Sequence, residues 1–74
     1  MTAIERYKRT THQIVRRFIN RDITFVTCIT RLSDALVIAR PQCPPEDLPA
    51  LCDMMLANNA RVMGEMEKRE RTKS

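Results

Sequence analysis

The chain has no tryptophan, one glycine (Gly64), one histidine (His12) and only three aromatic residues, Tyr7, Phe18 and Phe25. With so little glycine there is no phosphate-cradling loop and no strained serine elbow, and one histidine cannot supply a His-Glu-x-x-His zinc signature. A nucleophile, its base and an oxyanion hole have nothing to be assembled from, so the expectation is a non-enzyme without cofactor or small-molecule substrate. His12, Asp22, Asp34 and Asp53 read as surface or turn residues rather than acid–base groups. A core this small also leaves little room for a substrate cavity of about 300 Å3 or more.

Cysteine is sparse too: Cys28, Cys43 and Cys52, an odd number with no Cys-x-x-Cys spacing. That argues against a secreted disulfide framework and for a reducing compartment, read here as the cytoplasm. Together with His12 they are scattered too widely along the chain to suggest a closed zinc site, so no metal is expected. The most apolar region, residues 14 to 39, is interrupted by Arg16, Arg17, Arg21, Asp22, Arg31 and Asp34, charges too costly for a membrane span. No apolar signal-peptide core follows the basic N-terminus directly. A basic amphipathic first helix is also compatible with a mitochondrial address, since Glu5 is the sole acid before Asp22.

What the chain has in quantity is helical periodicity. Ile4, Tyr7, Ile14, Val15 and Phe18, with Thr11 at the same spacing, share one stripe, while Arg6, Arg9, Arg16 and Arg17 lie around the other side. The segment "NRDITFVTCIT" admits three readings: a strand, the middle of one long helix, or a turn between two helices. As a strand it separates apolar from polar residues poorly. As a helix it aligns Phe25, Cys28, Ile29, Leu32, Ala35, Leu36 and Ala39 on one arc. Thr24 is a competent N-cap, and Ile23 with Cys28 would form a hydrophobic staple, so the turn reading is favoured. All four prolines lie between Pro41 and Pro49 and mark the one unmistakable boundary. After them, Glu46 and Asp47 suit a helix N-terminus, and Leu48, Leu51, Cys52, Met55, Leu56, Val62, Met63 and Met66 form an apolar arc with Asn59 in its middle.

The predicted fold is therefore all-α: one helical domain over residues 1–74, with helices near 3–20, 24–39 and 46–70 and a charged tail over 67–74. A chain of 74 residues rarely gains more than about 3 to 5 kcal/mol from one core. With disulfides and metals disfavoured, association with another chain is the expected support. The third helix should outreach the second, so Leu51, Met55, Asn59, Val62, Met63 and Met66 are the expected contacts of a protein partner or a second copy. Asn59 could set register there, or sit at a wet edge. Val26, Val37 and Ile38 lie off the main stripe of the second helix and need cover. The functional expectation is a small interaction module: an adaptor, accessory subunit or regulator. Residues 1–21 carry six basic groups against Glu5, so Lys8, Arg9, Arg16 and Arg17 are expected either to orient a protein partner with an acidic surface or, in the alternative reading, to bind phosphates in a nucleic-acid-binding regulator. Base-stacking aromatics are missing, which weakens that alternative.

Overall fold

Thr2 opens the first helix. Its backbone is extended, and its hydroxyl accepts the Glu5 amide at 3.2 Å, satisfying one of the free N–H groups of the first turn. The computed structural model describes residues 1–73, in which three α-helices account for most of the chain and no described residue is in a strand. They are α1 (Ala3–Ile19), α2 (Phe25–Ala39) and α3 (Leu48–Lys73). Two single 3-10 turns, Arg40–Gln42 and Pro45–Asp47, carry the proline-rich link between α2 and α3.

The turn between α1 and α2 answers the question posed by the 20–30 segment. The Asp22 N–H donates to the Arg17 carbonyl at 2.9 Å, and the Arg21 N–H to the Phe18 carbonyl at 3.0 Å. This pairing is the Schellman C-cap, and it requires a left-handed residue at position 21. Arg21 supplies it at φ 65°, where glycine would avoid the Cβ penalty. Replacing Arg21 with glycine is therefore expected to raise stability by about 0.5 to 1 kcal/mol, read as a higher urea midpoint at unchanged m-value. The chain then re-enters helix at Thr24, which is extended and whose hydroxyl accepts the Thr27 amide at 3.2 Å. Ile23 and Phe25 pack against the core cluster that holds Cys28.

Helix α1 is the central element. It packs against both α2 and α3, whereas α2 and α3 approach each other far less closely. The core has two tiers. In the lower, at the N-terminal end of α1, Tyr7 meets Ala39 and Leu51, with Leu36, Leu48 and Met54 around them. In the upper, at its C-terminal end, Ile14, Val15 and Phe18 meet Cys28, Leu32 and Val62, with Ile29 and Met66 at the edge. Thr11 is buried between the tiers because its hydroxyl donates to the Tyr7 carbonyl at 2.8 Å, which lets a polar residue fill an apolar position.

Helix α3 runs from Leu48 through Lys73, three residues past the expected end near 70, and Glu67, Lys68, Glu70 and Arg71 in its charged last turns are exposed. One expectation about α3 needs correction: Val62 and Met66 do not overhang the bundle. Val62 is fully buried and Met66 packs on the same cluster, both covered by α1. Arg69 extends that contact. Its Nη2 donates to the Phe18 carbonyl at 2.7 Å, and its guanidinium carbon sits 4.3 Å from the centroid of the Phe18 ring. The Glu65 carboxylate lies 3.4 Å from the Arg69 Nε, an ion-pair distance, without forming a hydrogen bond to it. One charged side chain thus adds a second donor to the Phe18 carbonyl near the end of α1 and anchors the end of α3.

Cys28 is enclosed in the upper tier, and burial pushes its thiol above the ordinary value. A thiol reagent should consume the exposed Cys52 at once and reach Cys28 only on unfolding, measured as a time-resolved thiol count with and without urea. The sign of the pH effect follows. The neutral thiol is the folded-state form, so its contribution is complete below the unfolded pKa and is lost as pH rises past roughly 8.5.

Candidate functional site

Because α2 and α3 both lean on α1 and far less on each other, a trough remains between them. Tyr7 of α1 forms its floor. Ile29, Leu32, Ser33 and Leu36 line the α2 wall, at the i, i+3, i+4, i+7 spacing of one helix face. Met55, Asn58, Asn59 and Met63 line the α3 wall. The volume is about 350 Å3, larger than the sequence suggested, but the trough is open to solvent rather than enclosed. Met63, 51% exposed, lines it, and the two helices that wall it carry further exposed apolar side chains: Val26 and Val37 on α2, 72% and 71% exposed, and Leu56 on α3, 59% exposed. Branched and thioether side chains this accessible are the kind of surface that other proteins cover.

The tiers of the core fix the level of each residue along the trough. Leu36 packs with the lower cluster and Ile29 with the upper, so Ser33 lies between them. On α3, Leu51 belongs to the lower cluster and Val62 to the upper, with Asn59 between. A polar belt of Ser33, Asn58 and Asn59 therefore crosses the middle of an apolar trough. Burial raises the Tyr7 pKa above its ordinary value, with the neighbouring Asn58 opposing and Cys52 adding to the rise.

Of the six α3 residues expected at a partner surface, three line this trough: Met55 half-buried, Asn59 and Met63 exposed. Leu51 and Val62 are corrected to core residues, 2% and 0% exposed, because α1 covers the arc they share. Met66 is partly buried against the upper cluster. The α2 wall was missing from the expected site, although Val26 and Val37 already stood out as uncovered. Ile38, the third such residue, faces a shallower recess between α1 and α2 that Arg6, Thr10 and Gln42 also line.

The basic group divides. Lys8, Arg9 and Arg16 share one exposed recess on the outer side of α1 with His12, Gln13 and Glu5. Arg17 is exposed but does not line that recess. Among the described residues no three His, Cys, Asp or Glu side chains gather as a metal site would require. Among the same residues no helix is long and apolar enough to cross a membrane. No family model, curated protein or solved structure matches the chain.

Proposed function

We propose that this protein is a small interaction module whose working surface is the open face between α2 and α3, and that it acts as an adaptor, accessory subunit or regulator by receiving the apolar face of another helix. The observation that carries this reading is the open apolar trough lined by Ile29, Leu36, Met55 and Met63, on two helices that also leave Val26, Val37 and Leu56 more than half exposed. A helix laid there would extend the layering of α2 and α3 on α1 to a further layer, the usual way in which an apolar helix stripe is buried. Met55 and Met63 suit such a contact because thioethers adapt to the shape laid against them. The polar residues of the trough, Ser33, Asn58, Asn59 and Tyr7, are groups that can both donate and accept hydrogen bonds to a partner.

The test is methyl-resolved NMR, with the protein first diluted and then titrated with a synthetic amphipathic helix carrying Leu at i, i+3, i+4 and i+7. The Val26, Val37, Leu56 and Met63 methyls should move in one or both experiments while Val15 and Val62 stay fixed. Trough methyls that respond to neither treatment would overturn the reading.

The second reading, binding of nucleic-acid phosphates, rests on Lys8, Arg9 and Arg16 sharing one recess. It predicts binding to unrelated DNA or RNA that falls steeply with salt. Absence of binding at low salt removes it.

A further inference from the structure

Resting on the interaction reading above, we infer that the occupant of the α2/α3 face is a second copy of this chain, placed by a two-fold axis parallel to the helices so that α2 of one copy lies on α3 of the other. Exposed apolar surface is the first argument. Val26 and Val37 on α2 and Leu56 and Met63 on α3 are each more than half exposed, on the two helices that wall the trough.

Register is the second argument. An axis along the helices preserves height, so each level of α2 meets the same level of the partner's α3. Apolar Val26 and Ile29 then face Met63, Leu36 and Val37 face Met55 and Leu56, and the mid-level Ser33 faces Asn59. The polar belt is thereby paired twice by hydrogen-bonding side chains instead of being buried against apolar groups.

Charge is the third argument, and it separates this arrangement from the other two-fold. Acidic groups stand at both ends of α3: Glu46 and Asp47 before it, Glu67 and Glu70 in its last turns. Glu67 and Glu70 are exposed and continue the Asn59–Met63 row at helical spacing. On the α2 side, Arg40 is exposed and continues the Ser33–Leu36 row by one turn. An axis across the helices would lay α3 antiparallel on α3 and bring Glu67 and Glu70 beside the acidic pair that precedes the partner's α3. An axis along the helices instead keeps the two acidic ends of α3 apart and sets Arg40 level with the partner's acidic pair before α3.

The experiment uses the full chain with Cys43→Ser and Cys52→Ser, leaving the buried Cys28. Ser33→Cys is placed in one batch and Asn59→Cys in another, both at solvent-accessible positions. After mild oxidation, a disulfide-linked dimer should form when the batches are mixed and in neither alone, with sedimentation giving the mass of two chains. A covalent dimer from Asn59→Cys alone would overturn the inference by showing α3 on α3. A two-chain mass without mixed cross-linking would overturn it by placing the contact elsewhere. A one-chain mass throughout would also overturn it. In that last case the amphipathic-helix titration decides the parent reading, which stands if the trough methyls move and falls if they do not.

Discussion

Replacing Phe18 with alanine is expected to leave most of the chain unfolded at 25 °C. Phe18 is completely buried where all three helices meet, its ring tilted against Phe25 with centroids 6.2 Å apart and capped by Arg69. Truncating a buried phenylalanine costs about 3 to 5 kcal/mol, and a domain of this size holds about that much in total. Far-UV circular dichroism should show the loss of helix directly. Phe18→Leu, which keeps most of the volume, should stay folded with a lower urea midpoint. A Phe18→Ala chain with native helicity and an unchanged midpoint would mean that the upper tier is not the centre of stability.

Arg69→Ala is expected to destabilise by about 2 to 4 kcal/mol, far more than the few tenths typical of a charge near a helix end. Three contributions combine: a charge-assisted hydrogen bond to the Phe18 carbonyl, stacking on the Phe18 ring, and the Glu65 ion pair. The Arg69 and Glu65 side chains are only 19% and 14% exposed, so solvent screening takes a modest share. Lysine should rescue in part, since it keeps the charge and the apolar stem but lacks the planar fork that serves ring and carbonyl together. Urea denaturation of the three proteins measures the series. A loss below about 0.5 kcal/mol for Arg69→Ala would show the contact to be ornamental.

These two residues also mark how far the fold was legible. Phe18 is plain from periodicity, and so are the helix starts, because Thr24 has both the chemistry of an N-cap and an apolar run after it. The turn at 20–24 was readable as a turn but not in its mechanism, since arginine in a left-handed position carries no sequence signal. Arg69 was hidden inside "EKRERTKS", where composition suggests a solvated tail. Its phase was nonetheless available: it stands seven residues after Val62 and three after Met66, on the same arc. The candidate site was half legible. Met55, Asn59 and Met63 could be picked from α3 alone. Whether Leu51 and Val62 faced inward or outward depended on how α1 crosses α3, which no local pattern encodes. The α2 wall exists only because α2 and α3 splay apart, a tertiary property for which the uncovered Val26 and Val37 were the sole hint.

Sedimentation equilibrium over a concentration series, run on the wild type, Met63→Glu and Lys8→Glu, tests most directly whether the α2/α3 face holds a second chain. The account predicts a two-chain mass for the wild type and Lys8→Glu, and a one-chain mass for Met63→Glu, whose new carboxylate would be buried in the contact. Equal masses for Met63→Glu and the wild type would contradict it.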